Sequence, residues 1–237
     1  MTDLKVGHGF IVRKAHIRPE GSPVVDGKEM GIRQLLDTTT GVCTYLLWDK
    51  ETEDAILINP VDTESSRDLL LTTDLHLVYV VNSHGLDKDH HISVGTRLLK
   101  EKIKGIQVIL TTTKSDKDVD ADILLENDDI LIHNGDEIHF GSRFVTALAT
   151  PSPSTPGDMT FLLDDKKAVL TSSALLMPGN GRCDIPATEL LYLYALPDST
   201  IVFPGYYYDT LDNEEPRSST IGQEKKHNPI LAAVKMD

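Results

Sequence analysis

Asn82-Ser83-His84-Gly85-Leu86-Asp87-Lys88-Asp89-His90 follows directly on the apolar run Leu77 to Val81 and gathers imidazoles and carboxylates where a strand would give way to a loop. Such side chains supply the nitrogen and oxygen donors that a transition ion takes from a protein. His84, Asp89, His90 or His91, joined by the phenolate of Tyr206, could be assembled into such a site. Two considerations weigh against it. Tyrosine has an unperturbed pKa of about 10, so Tyr206 would ligate only with strong help from the ion itself. Adjacent His90 and His91 diverge on a helix, so both rarely reach one ion. Hydrogen bonding of these residues to loop backbone is the plainer reading.

Other chemistry is sparse. Cys43 and Cys183 lie far apart and form no CxxC pair, which predicts two free thiols in a reducing compartment. Arg182 would favour a thiolate at Cys183, and Asp184 on its other side opposes that. An Arg182-Asp184 ion pair bracing the loop is the simpler role for both. His8, His16, His76, His133, His139 and His227 show no ligand spacing and are expected to be surface or hydrogen-bonded structural residues. No Gly-rich phosphate loop, Gly-x-Ser-x-Gly elbow or four-cysteine zinc pattern occurs.

Short apolar, β-rich runs predict strands over Val42 to Trp48, Ala55 to Asn59, His76 to Asn82 and Ile106 to Thr111, with a helix from about His91 to Lys102 between the last two. Asp62 or Thr63 would cap a helix running to about Leu71. Ile130 to Ala149 predicts several strands, with Asn134-Gly135 as a turn. Met159 to Leu163 and Ala168 to Thr171 flank Asp164-Asp165-Lys166-Lys167 as a hairpin. Glu189 to Ala195 predicts a helix, Thr200 to Phe203 a strand, and Thr220-Ile221-Gly222-Gln223 a capping box opening a late helix. Thr112 to Asp122 and the acidic Leu211 to Arg217 are expected to be exposed loops. Strands and helices mix in two successive halves, an α/β composition.

From Arg33 onward the chain resembles the metallo-β-lactamase superfamily, and within it the persulfide dioxygenase and glyoxalase II branch. The resemblance is carried by Arg33-Gln34-Leu35-Leu36-Asp37, Thr44-Tyr45-Leu46-Leu47, Ile56-Leu57-Ile58-Asn59-Pro60-Val61, Gly135-Asp136-Glu137-Ile138-His139-Phe140-Gly141, Gly181-Arg182-Cys183-Asp184-Ile185, Ser218 to Lys225 and Asn228-Pro229, in order. It implies an αββα four-layer sandwich over residues 33–237, with the site along one edge at the strand ends. Residues 1–32 match the family poorly and are expected to form an added hairpin or an arm packed on the domain.

The same resemblance implies a metal site whose ligands are mostly gone. In that branch the loop motif is His-x-His-x-Asp-His, and here Leu86 replaces its second histidine, while Asp89 and His90 match its end with one residue added before them. An iron dioxygenase of the family takes two histidines and one aspartate, leaving positions open for thiol and oxygen. His84 matches the first histidine. Thr150-Pro151-Ser152-Pro153-Ser154 puts Pro153 or Ser154 where the second belongs, and Thr171-Ser172-Ser173-Ala174 puts Ser173 at the carboxylate position. Tyr206 stands where glyoxalase II has a further histidine. Hydroxyls offer neither charge nor a strong nitrogen donor, so no cofactor is expected. A metal-free pseudoenzyme with a binding or scaffold role is the leading expectation. Competing with it are an iron(II)-dependent glutathione persulfide dioxygenase with a remodelled site and metal-independent thiol chemistry at Cys183. Arg182, Cys183 and Asp184 match the segment that helps build the thiol side of the family pocket, where Arg182 could hold a glutathione carboxylate.

Size and charge narrow the partners. The 237 residues, 40% hydrophobic and 25% charged, can bury a sizeable core. A net charge of -14 repels polyanions, which argues against nucleic acid and anionic membrane. No run approaches the ~20 apolar residues of a membrane span. Met1 to Gly9 has neither signal-peptide nor transit-peptide character, so an intracellular place, cytoplasmic or mitochondrial, is expected. A glutathione-like thiol and a homo- or hetero-dimer with a family member are the partners the resemblance suggests.

Overall fold

The computed structural model describes residues 4–6, 10–12, 17–18, 30–37, 39–61, 74–84, 91–111, 129–151, 157–175, 185–186, 190–207, 218–232 and 234. The helix expected from Asp62 or Thr63 and the loops Thr112 to Asp122 and Leu211 to Arg217 lie outside them.

Two sheets carry the fold. One holds six strands in the order β4 (Met30–Leu36), β5 (Cys43–Asp49), β6 (Asp54–Ile58), β7 (His76–Val81), β8 (Gln107–Thr111) and β9 (Ile130–Ile132). Strands β4, β5 and β6 pair antiparallel, and β6 through β9 pair parallel. The other has seven strands in the order β15 (Ser219–Thr220), β14 (Ile201–Pro204), β13 (Ala168–Ser172), β12 (Met159–Leu163), β11 (Arg143–Ala149), β10 (Glu137–Phe140) and β3 (Ile17–Arg18). Its pairs are antiparallel except β13 with β14. From the N-terminal segment, β3 thus closes one edge of this sheet, while β1 (Leu4–Val6) and β2 (Phe10–Val12) pair with each other.

The period-two alternation of side chains builds the layers. Tyr45, Leu47, Ile56, Ile58, Tyr79, Val81 and Ile109 point to one face and meet Phe161, Leu163, Ala168 and Leu170 of the opposite sheet in a single buried core. Leu46, Leu57, Val80, Val108 and Leu110 point the other way, where Leu99 of α1 (His91–Lys102) covers them. Val169 and Val202 likewise meet Leu193 of α2 (Leu191–Ala195), Ile221 of α3 (Ile221–His227) and Leu231 of α4 (Pro229–Ala232). Helix, sheet, sheet and helix stack in that order, the expected αββα sandwich. Each fully buried aliphatic side chain contributes about 1.5–3 kcal/mol. Among the described residues no helix is long and apolar enough to cross a membrane.

Local signals behave as the sequence predicts, with one refinement. Thr220 and Gln223 form the reciprocal capping box at the start of α3. Asn134-Gly135 does make a turn, but β9 and β10 on either side of it belong to different sheets. Asn134 Oδ1 accepts the Ala149 N–H at 2.8 Å and the Gly135 N–H donates to Ala147 at 2.7 Å, so the turn docks on β11 as the chain crosses between layers. The hairpin of this region turns at Gly141 and Ser142. There Asp49, at the end of β5, accepts both the N–H and the hydroxyl of Ser142 at 2.7 Å and clamps the two sheets together.

Candidate functional site

Parallel pairing brings the C-terminal ends of β6, β7 and β8 to one edge of their sheet, and β13 and β14 do the same opposite. The edges are sewn together. The Met159 N–H donates to the Ser83 carbonyl at 2.8 Å, and the Cys43 N–H donates to the Gly205 carbonyl at 2.9 Å. Val42 bridges Tyr206, and the Tyr207 N–H donates to Gly41 at 2.7 Å. Helix α1 closes down on this end, because Gly95 lacks the Cβ that would fall 1.9 Å from the Pro60 carbonyl oxygen.

Two non-glycine residues adopt left-handed backbone here, Asn59 after β6 at φ 53° and Ser172 at the end of β13 at φ 50°. Asparagine tolerates this region, whereas for serine it is uncommon. Ser172 is held there by its neighbours. The Gly205 N–H donates to its carbonyl at 2.7 Å, and a Cβ on Gly205 would stand 2.7 Å from that same carbonyl.

The side chains at this edge form a polar set around His84, which is 7% exposed. Asn59 Oδ1 accepts the Ser83 N–H at 2.8 Å, and Asn59 Nδ2 donates to Ser83 Oγ at 2.7 Å. Ser83 Oγ lies 2.8 Å from His84 Nδ1 and 2.8 Å from Ser172 Oγ. The ring of Tyr206 packs edge-on against the imidazole. Beside Ser172, the Ser173 hydroxyl donates to the carboxylate of Asp158, and both residues are buried.

A second cluster continues inward from the same edge. The Tyr45 hydroxyl donates to the Pro204 carbonyl at 2.5 Å and accepts from Gln34 Nε2 at 2.6 Å; Gln34 Nε2 also lies 3.4 Å from Cys43 Sγ. Burial pushes the Cys43 thiol up to about 11, outweighing the hydrogen bonds with Tyr45 and Gln34 that pull it down. A thiol so buried is inert as a nucleophile.

Of the residues singled out in the sequence, the structure brings His84 and Tyr206 into contact and sets Ser173 next to Ser172, which touches His84. Leu86, Asp89, His90, Ser154, Arg182, Cys183 and Asp184 lie outside the described residues. Sequence reasoning missed Asn59, Ser83, Ser172 and Asp158. The remaining histidines include His139, 2.9 Å from Glu137 and stacked on Phe144, and His133 and His76, each 3.7 Å from an aspartate.

A metal of the kind the family pattern implies fits these residues poorly. At the carboxylate position the Ser173 hydroxyl is neutral and committed to Asp158. Among the described residues no three of His, Cys, Asp or Glu gather as a metal-holding group.

No family model matches the chain. Over 221 residues, 89% of this chain and 77% of the relative, it is 32% identical to the mitochondrial persulfide dioxygenase ETHE1 of Bos taurus. It is 31% identical over 147 residues to a hydroxyacylglutathione hydrolase of Brucella anthropi, a match spanning 60% of this chain and 48% of that protein. The crystal structure of ETHE1 from Myxococcus xanthus, 30% identical, superposes with a TM-score of 0.65 over 85% of each chain. A metallo-β-lactamase from Staphylococcus aureus, at 20% identity, shares the fold with a TM-score of 0.69 over 87% of this chain and 64% of that one.

Proposed function

The chain belongs to the metallo-β-lactamase superfamily, in its persulfide dioxygenase and glyoxalase II-like branch, and we propose that it is a metal-free pseudoenzyme of that branch with a binding or scaffold role. The carrying observation is Ser173. It stands where the family pattern places the metal carboxylate, and its hydroxyl spends its hydrogen on the buried Asp158. An ion there would face a neutral oxygen instead of an anion, while Leu86, Ser154 and Tyr206 remove donors at three further positions. The test is metal analysis of the purified chain. Metal well below one equivalent after dialysis is expected, and near-stoichiometric iron or zinc would contradict the reading.

A working iron-dependent glutathione persulfide dioxygenase has one observation on its side, the identity to persulfide dioxygenase over most of the chain together with the retained His84. It requires oxygen uptake with glutathione persulfide that His84→Ala abolishes. No uptake at any iron loading removes it. Thiol chemistry would fall to Cys183, since Cys43 is buried with its thiol pushed up to about 11. Cys183→Ser should then eliminate an activity that metal removal leaves intact.

What the pseudoenzyme would hold is a glutathione-like thiol at Arg182 to Asp184, or a family member through a dimer surface. Isothermal titration with glutathione, and co-purification with an active relative, separate the two.

A further inference from the structure

The hydrogens on the Nδ1 side of His84 follow from Asn59, Ser83 and Ser172, which leave little choice. The backbone N–H of Ser83 can only donate, and it donates to Asn59 Oδ1 at 2.8 Å. That fixes the amide, so Nδ2 donates to Ser83 Oγ at 2.7 Å. The buried Ser172 hydroxyl has one well-placed acceptor, Ser83 Oγ at 2.8 Å. Its approach to His84 is 3.4 Å from Nδ1 and 3.3 Å from Nε2, nearly equal, as for an oxygen above the ring and not along a lone pair in its plane. With Asn59 and Ser172 both donating, the two lone pairs of Ser83 Oγ are used. Its own hydrogen goes to the remaining neighbour, His84 Nδ1, at 2.8 Å. A neutral imidazole that accepts at Nδ1 carries its proton on Nε2.

We propose that Asn59 is a positioning residue which, through Ser83, holds His84 as the Nε2–H tautomer, so that this imidazole offers a donor where a metal would need a lone pair. Metal-bound histidines are arranged the opposite way, donating the second ring N–H to a carboxylate, carbonyl or water while the ligating nitrogen is bare. An aspartate at 59 would produce that opposite order. Its two oxygens would accept the Ser83 N–H and the Ser83 hydroxyl, leaving Ser83 Oγ to accept from His84 Nδ1–H. The choice of amide over carboxylate at one residue thus sets the direction of the whole chain. This inference rests on the metal-free reading of the site and adds to it a separate obstacle: His84, the histidine retained from the iron-ligand pattern, has its proton on the wrong nitrogen.

The experiment is a long-range proton-nitrogen correlation of the histidine rings in the full-length, 15N-labelled chain, at a pH where imidazole is neutral, with metal content measured on the same sample. His84 is identified by the signals missing from His84→Gln. Expected are a pyrrole-type Nε2 and a pyridine-type Nδ1 in the natural chain, a shift toward Nδ1–H in Asn59→Asp, and an averaged pattern in Ser83→Ala, which removes the relay but keeps Asn59. Aspartate tolerates the left-handed backbone of position 59 as asparagine does, so the first variant is expected to fold. Nδ1–H in the metal-free natural chain, or an unaltered pattern in both variants, overturns the proposal. A stoichiometric metal overturns the metal-free reading instead, and the stripped protein then decides this one, Nε2–H upholding it and Nδ1–H sinking it.

Discussion

The ring of Tyr206 meets the ring of His84 edge to face, with centroids 5.4 Å apart and planes at 87°. The two arrive from opposite sheets, Tyr206 after β14 and His84 after β7, so the contact closes the sandwich over the polar set beneath it. Edge-on aromatic pairs contribute about 0.5–1.5 kcal/mol beyond the area they bury. Tyr206→Leu is expected to lower stability in urea by about 1 kcal/mol and to shift the His84 ring signals. Unmoved ring signals would show that the contact does not hold the imidazole.

Gly205→Ala tests the strained end of β13. The added methyl would sit 2.7 Å from the Ser172 carbonyl, and backbone cannot swing away as a side chain can. Overpacking of this kind costs about 1–3 kcal/mol. The same change should displace Ser172 from Ser83 and so perturb the His84 ring, which unfolding curves and ring spectra measure together.

How far the sequence carries can be judged from these same residues. Strands β5 through β8 are legible as short apolar runs, buried on both faces, and strand geometry then places Tyr45 and Leu46 on opposite sides as observed. His84 is legible because an imidazole directly after an apolar strand is conspicuous. The capping box at Thr220 is legible because its partners are three residues apart. Ser83 and Ser172 are not, since their hydroxyls meet across 89 residues of chain and serine is ordinary at strand ends. Asn134-Gly135 gives a turn in either context, and only the sheet assignment of β9 and β10 reveals a crossing between layers.

Asp49 makes the acid limb of stability predictable. Burial pushes its carboxyl up, but the Ser142 hydroxyl, the Ser142 and Glu51 N–H groups and the Thr52 hydroxyl together hold it below its ordinary value of 3.8. A folded-state value below the unfolded one gives stability that is present above about pH 4 and lost as pH falls through the folded value. Asp49→Asn should therefore flatten the fall in melting temperature on acidification through that window, while lowering stability near neutrality by about 1–3 kcal/mol. An unchanged acid slope would remove Asp49 from the account.

Cys43 offers a check on the packing beside the site. With its thiol pushed up to about 11 by burial, it should resist a disulfide reagent at neutral pH in the Cys183→Ser variant and react fully once urea unfolds the chain. Rapid labelling of the native variant would mean that the Gln34, Cys43 and Tyr45 cluster opens readily.

Ser173→Asp restores the carboxylate that the family pattern calls for and sets it against Asp158. Without a cation, two buried carboxylates at hydrogen-bonding distance cannot both ionise, so one must take up a proton. The variant should lose on the order of 3 kcal/mol at neutral pH and regain part of it on acidification, the reverse of the Asp49 behaviour. Its folded-state carboxyl lies above the unfolded value, so the penalty is absent below about pH 4 and grows as pH rises. Adding ferrous iron or zinc should not rescue it, because donors are still missing at Leu86, Ser154 and Tyr206 and His84 would have to give up its Nε2 proton. Rescue by either ion in a thermal melt, saturating near one equivalent, would show that a single carboxylate was all that separated this edge from a working metal centre.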